Sequence, residues 1–240
     1  MRYMAVVSYD GTGYQGFQSQ PNAIGIQEVI EKAFRLMTQT EIKIHSAGRT
    51  DKGVHALGQV FHFDSPIDIE PETWIRGVNT RLPLDIRVKK IKKVKPDFHA
   101  RHSSKSKVYK YVLAKKSSTV FSKNYEVYIP NLDIEPMKEA LPYFIGTHDF
   151  KGFCQYVSGK PTEKTIYQAT FKETKKHYIF TFHGNSFLKY QVRSMMGTLI
   201  QIGLKRKSPE VIKEILATQN RFLAGKTAEA RGLFLVKIYY

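Results

Sequence analysis

The sequence predicts an α+β fold of two similar α+β halves, forming one continuous, mixed and mostly antiparallel sheet with a central active-site cleft. Three observations carry that expectation. Apolar residues recur at helical spacing in several separate stretches, the clearest being Ile26, Val29, Ile30, Ala33, Phe34 and Met37. Other runs alternate between two faces: from Val108 to Ala114, Tyr109, Tyr111 and Leu113 share one face while Val108, Lys110 and Val112 share the other. The coarse order strand, helix, strand, strand, helix, strand is found twice, with one extra helix in the second half. No repeat is visible residue by residue. The boundary falls near Ser104, giving halves of 1–104 and 105–240.

Tyr3 to Tyr9 reads as a buried strand. The glycine-rich stretch Asp10-Gly11-Thr12-Gly13-Tyr14-Gln15-Gly16 follows and matches G-x-G-x-x-G. A dinucleotide fingerprint must open a helix directly. Here Phe17-Gln18-Ser19-Gln20-Pro21-Asn22 comes next, with no helical period and a proline, so the stretch is a polar loop. A helix starts near Gly25. Pro71 starts another through Trp74 and Val78, since proline suits a first turn. Ile86 to Val94 is a strand dense in cations, with Arg87, Lys89, Lys90, Lys92 and Lys93. Such a run guards a sheet edge or tracks a phosphate backbone.

In the second half, Pro136 to Ile145 reads as a helix closed by Gly146. Ile166 to Lys172 and Tyr178 to His183 form a hairpin. Asn185 or Ser186 is expected to cap a long helix reaching Ile202. Ser208-Pro209-Glu210 opens another, with Val211, Ile212, Ile215 and Leu216 inward, and Leu233 to Tyr239 is the last strand.

Composition narrows the function. The chain has 240 residues, 42% of them hydrophobic, and no apolar run approaches a membrane span. Met1-Arg2-Tyr3-Met4-Ala5 enters strand-like sequence at once, leaving no room for a signal peptide, and the expectation is a soluble, cytoplasmic protein with no membrane partner. Cys154 is the only cysteine, which excludes an intramolecular disulfide and a cysteine-based zinc site. Lys plus Arg is 38 against 21 for Asp plus Glu, a net charge of +17. That excess favours a polyanionic partner, because neutralising phosphates releases counterions.

The stretch with most chemical character is Gly48-Arg49-Thr50-Asp51-Lys52-Gly53-Val54-His55. Strand-like residues flank it, Ile42 and Ile44 before, Val60, Phe61 and Phe63 after. Gly48 and Gly53 permit backbone angles that other residues avoid, so Asp51 is expected on a sharply turned, pinned loop. The bland alternative is a surface turn with a weak Arg49–Asp51 ion pair. Elsewhere, the eight histidines are scattered with no H-E-x-x-H pair, there is no G-x-S-x-G elbow, and no Walker A motif. A fixed aspartate, basic surroundings and strand tyrosines suit base chemistry on RNA. The rival is a non-catalytic RNA-binding or ribosome assembly protein. Asp51 weighs against it, since a pure binder gains nothing from a carboxylate beside phosphates.

Gly48-Arg49-Thr50-Asp51-x-Gly53-Val54-His55 resembles the catalytic motif of the tRNA pseudouridine synthase A family. Tyr9-Asp10-Gly11 with Tyr14-x-Gly16-x-Gln18 resembles that family's N-terminal loop. Phe98-His99-Ala100-Arg101 followed by Tyr109-Lys110-Tyr111 resembles its middle motif. Gly146-x-His148-Asp149-Phe150, Val192-Arg193-x-Met195-x-Gly197 and Gly232-Leu233-x-Leu235 are similar to its later blocks, in order. The resemblance implies a homodimer without cofactor or metal, isomerising uridine to pseudouridine in the anticodon arm of tRNA at tRNA positions 38, 39 and 40. It implies Asp51 as nucleophile, Arg193 paired with Asp51, Tyr109 against the target base, Arg49 holding the base out of its stack, and Leu233 in the pocket. Whether the carboxylate attacks the sugar or the base, or deprotonates the sugar, stays open. Lys52, His102, Ser104 and Glu229 depart from the family's usual residues without removing any of these groups.

Overall fold

Two units form, seen in a computed structural model that describes residues 1–19, 23–155 and 158–240. The first holds Met1–Lys105 together with Phe234–Tyr240, the second Ser106–Leu233. Gln20, Pro21 and Asn22, the end of the polar loop, lie outside the described residues. In chain order the elements are β1 (Arg2–Tyr9), α1 (Ile26–Thr38), β2 (Ile44–Ser46), β3 (His55–Asp64), α2 (Pro71–Asn79), β4 (Ile86–Lys93), β5 (Ser106–Ala114), β6 (Val127–Tyr128), α3 (Glu135–Ala140), β7 (Gly146–Asp149), β8 (Glu163–Glu173), β9 (His177–Gly184), α4 (Gln191–Gly203), α5 (Val211–Thr218) and β10 (Leu233–Tyr239).

In the first unit the strand order is β4-β1-β3-β10, with β2 paired to β3. β1 runs antiparallel to β3 and β4, while β10 pairs parallel to β3 through Phe234 with His55 and Leu235 with Ala56. In the second unit the order is β5-β9-β8-β7, all antiparallel, with β6 parallel to β5. The α+β class, with mixed and mostly antiparallel pairing, is the one the sequence indicates. A common plan underlies both units: the first strand pairs antiparallel with the second arm of a hairpin, β1 with β3 and β5 with β9.

Packing follows from the apolar spacing. α1 buries Ile26, Ile30, Ala33 and Phe34, and α2 buries Trp74 and Val78. Phe34 meets Phe63 at 4.6 Å and Trp74 at 5.3 Å, and Tyr3 stacks on Phe63 at 5.2 Å. β4 lies at the edge of its sheet with Ile86, Val88 and Ile91 inward. A register shift opposite Val6 and Val7 throws Lys89 outside the pairing. Part of the cationic run is structural, since Arg87 donates to the carbonyls of Pro83 and Ile86, and Lys93 pairs with Asp68 and Glu70.

Two expected helices differ. Pro136 to Ile145 splits into α3 and a 3₁₀ turn, Leu141–Phe144. Pro142 has no amide hydrogen to continue the α ladder. α4 starts at Gln191 rather than near Asn185. The Asn185 side chain accepts from the amides of Thr165 and Ser186 instead, at 3.1 and 2.6 Å, so its capping oxygen is used by β8.

β3 is buried almost throughout, although it carries two histidines. His62 is 2% exposed, stacks on His45 at 5.0 Å and meets His99 at 4.6 Å. Its Nδ1 accepts from the Ala100 amide at 3.2 Å, which holds the turn at 98–103 over the sheet. Tyr240 donates to the Ala100 carbonyl from the other side. Burial, then the neighbouring His99, His45 and Arg2, pulls the His62 pKa down to about 4, against a weaker opposing pull from Asp64. The unfolded ring protonates below about 6.5. Between that value and about 4 the unfolded state binds more protons, so stability falls as pH drops through this window. The midpoint of urea unfolding should therefore fall from pH 7 to pH 4.5, and less steeply in His62→Gln. An equally steep fall in the variant would remove His62 as the cause.

Candidate active site

Asp51 stands on the connection between β2 and β3, and four sets of bonds shape it. The Ala47 amide donates to the Val60 carbonyl. Buried Gln59 donates from Nε2 to the Gly48 carbonyl at 2.9 Å and accepts from the Val60 amide at 3.1 Å, so one side chain ties the loop to the strand. Thr50 is buried, with its hydroxyl 2.8 Å from the Tyr9 hydroxyl. Burial pushes the Tyr9 phenol well up, although Thr50 and Gln59 oppose it, so Tyr9 stays neutral. The Val54 amide donates to the Asp51 carbonyl at 3.1 Å, closing a four-residue turn. Gly53, at φ 76°, fills the third position, where a type II turn requires positive φ. Among the described residues Gly48 is not one of the glycines with positive φ. Its carbonyl is what the loop uses.

The glycine-rich stretch after β1 lies directly on this loop. The Phe17 amide donates to the Thr50 carbonyl at 3.1 Å. A Cβ on Gly11 would stand 2.1 Å from the Val54 carbonyl oxygen, and one on Gly16, at φ 103°, would stand 2.8 Å from the Thr50 carbonyl oxygen. The G-x-G-x-x-G match is thus a backbone-to-backbone seam. His55, 1% exposed, stacks on Phe234 at 4.7 Å. Its Nδ1 is 3.1 Å from the Gly11 nitrogen and 3.1 Å from Asp10 Oδ1. One nitrogen serves one of these at a time: the neutral ring accepts from Gly11, and a protonated Nδ1 donates to Asp10. The outcome is a half-buried Asp51 flanked by exposed Arg49 and Lys52.

In the second unit, Arg193 sits in the first turn of α4, half-buried. Its Nε donates to the Ala228 carbonyl at 2.8 Å, and the Ala228 amide donates back to the Arg193 carbonyl at 3.0 Å. The guanidinium carbon lies 5.2 Å from the Tyr190 ring centre, a cation–π distance. Tyr190 ends the preceding turn in the left-handed region at φ 65°. Gly197 lets the 225–228 segment close in, since a Cβ there would stand 1.8 Å from the Lys226 carbonyl oxygen. Tyr109 is half-buried on β5, edge-on to Phe187 at 5.1 Å. Leu233 is buried at the start of β10. The expected site residues therefore sort into Asp51 and Arg49 on one loop of the first unit, and Tyr109, Arg193 and Leu233 on three elements of the second. Sequence reading missed Tyr9, Gln59 and the Ala228 carbonyl. Gln59 is marked as a lone amide in a mostly apolar strand and Tyr9 by its place in the N-terminal motif, while nothing marks the Ala228 carbonyl. Among the described residues no group of His, Cys, Asp and Glu could hold a metal.

Set beside known proteins, residues 5–103 and 140–240 match the family model described as tRNA pseudouridine synthase. The chain belongs to that family. It is 41% identical over 238 residues to tRNA pseudouridine synthase A of Onion yellows phytoplasma, covering 99% of this chain and 98% of that one. It is 43% identical over 239 residues to the enzyme of the same name from Phytoplasma mali, at 99% and 98% coverage. With tRNA pseudouridine synthase A 1 of Bacillus cereus it shares 42% over 243 residues, at 100% and 98%.

In this synthase the seam should be intolerant of a side chain. Gly11→Ala forces backbone atoms apart and should cost about 1–3 kcal/mol in urea unfolding, the range for overpacking. Gly13→Ala, where a Cβ meets nothing within 4 Å, is the control. Equal stability of the two variants would refute the seam.

Proposed function

We propose that this synthase acts on the anticodon arm of tRNA, at positions 38, 39 and 40, with Asp51 as the nucleophile. The conversion of uridine to pseudouridine in tRNA is the family's reaction. The observation that carries the finer reading is the pinned turn: Asp51 is the one carboxylate in the matching motif, and Thr50, Gly53 and Gln59 fix the backbone on both sides of it. A fixed carboxylate is already oriented when the base arrives.

Pseudouridine is an isomer of uridine, so atoms balance without a redox partner or group donor. The uracil must leave its stack, detach, rotate and rejoin the sugar through carbon, which requires flipping into a closed pocket. In this reading Tyr109 offers an aromatic face to the detached base, Arg49 holds it out of the stack, and Leu233 supplies an apolar wall. Arg193 is the cation for Asp51, favouring its charged form. Support for Arg193 is its anchoring: the bond from Nε to Ala228 fixes the plane of the guanidinium. The enzyme works as a homodimer in the cytoplasm. Among the described residues no helix is long and apolar enough to cross a membrane.

Incubating tRNA transcripts with the protein and mapping pseudouridine tests the target; conversion only outside the anticodon arm would overturn it. Asp51→Asn should abolish isomerisation in single-turnover assays at saturating enzyme while tRNA still binds. A rate within tenfold of wild type would remove Asp51 as nucleophile. Arg193→Met should slow the same step by roughly tenfold or more, the scale on which aimed charge acts in a site, and a normal rate would unseat it. The tRNA affinity should also fall with salt, at a log–log slope of ~0.7–0.9 per neutralised phosphate; a flat profile would contradict the basic surface as the RNA track.

A further inference from the structure

One surface of the second unit sets an exposed ring, Phe121, among lysines that have no carboxylate partner among the described residues. In the segment after β5, Val120 is 73% exposed and Phe121 88%. The segment is nonetheless held in shape. The Thr119 amide donates to Ser122 Oγ and the Ser122 amide to Thr119 Oγ1, at 3.1 and 3.2 Å. The Lys123 amide donates to the Thr119 carbonyl. Ser122 Oγ donates to Glu126 Oε1 at 2.6 Å, and Glu126 Oε2 lies 2.5 Å from His177 Nε2 at the start of β9. Phe121 is thus displayed on a fixed mount.

The turn between β8 and β9 lies alongside, since the Lys115 amide donates to the Lys176 carbonyl at 2.9 Å. Lys116, Lys123, Lys175 and Lys176 are all exposed. The local carboxylates are engaged elsewhere, Glu126 with Ser122 and His177, Glu173 with Lys115. The mount is also tied to the elements of the second unit that carry Leu233 and Tyr109. Arg231 Nη1 donates to the Lys123 carbonyl at 2.9 Å, tying the segment to the 3₁₀ turn Ala230–Gly232 ahead of Leu233. Gly232 sits on the Tyr111 ring, 2.8 Å from where its Cβ would be, and Tyr111 is two places from Tyr109 on β5.

We infer that this patch is a second RNA-contacting surface, on which Phe121 stacks against an exposed base of the tRNA while Lys175 and Lys176 neutralise its phosphates outside the target pocket. The inference rests on the proposed function in taking tRNA as the polyanion. Lysines alone suit any polyanion, and the ring adds a face that a base can cover. A second copy meeting this patch through the same patch would set Lys116, Lys123, Lys175 and Lys176 against their own counterparts.

Labelled tRNA titrated with Phe121→Ala should bind roughly tenfold more weakly, the scale of one lost base–ring stack. Lys175→Ala combined with Lys176→Ala should lower the log–log salt slope by ~1.4–1.8, two phosphates' worth. Single-turnover rates at saturating enzyme and thermal melts should match wild type. If both variants bind within twofold of wild type at an unchanged slope, the patch is not an RNA surface. A changed sedimentation coefficient of Phe121→Ala without tRNA would likewise overturn the proposal, marking an interface between copies. Mapping of pseudouridine by the wild-type enzyme separates the two readings: absent product sinks the proposed reaction, while normal product beside unaltered variants sinks the patch alone.

Discussion

The hydrogen bond from the Phe17 amide to the Thr50 carbonyl, 3.1 Å long, can form only because Gly11 and Gly16 carry no side chain. Through it the stretch after β1 and the stretch after β2 become one layer. Tyr9 adds a buried hydroxyl contact to Thr50, and Gln59 holds the other end of the turn. Asp51 is then positioned from three strands' worth of sequence rather than by its immediate neighbours. Arg49 and Lys52 stand exposed on either side of it.

Charge is used unevenly along the chain. Arg87 and Lys93 in β4 are committed to backbone carbonyls and carboxylates, so the cationic look of that strand overstates what it offers a ligand. Lys116, Lys175 and Lys176 lie outward in turns. A sequence shows where cations are, but whether each already has a partner depends on residues far away in the chain. Asp68 and Glu70, which take up Lys93, are an example.

Much of the fold was legible. α1 begins after Gly25, α2 begins at Pro71, and strands flank Asp51 as expected, because each follows from spacing and local backbone chemistry. The start of α4 was not legible, since Asn185 is a good cap on paper and the Thr165 amide outcompetes the helix for it. Among the candidate residues, Asp51, Arg193 and Tyr109 come from the resemblance, but nothing local marks Tyr9 as the partner of Thr50 or Ala228 as the anchor of Arg193. Both are tertiary facts. The histidines looked scattered along the chain, yet His45, His62, His99 and His102 come together as one group over β3.

The parallel pairing of β10 with β3 has a bearing on biosynthesis. Phe234 and Leu235 leave the ribosome after all of the second unit, while their partners His55 and Ala56 emerge long before it. β1 and β2 are already in place along the rest of β3, but its His55–Ala56 end waits without β10 while the second unit is translated, a short stretch of edge open to wrong partners. His55 lacks its Phe234 ring for the same interval. The nascent chain can assemble its second unit from contiguous sequence, but its first unit is finished last. Slowing translation over the final strand would prolong the aggregation-prone interval, and a chaperone that covers sheet edges would act on the first unit before the second.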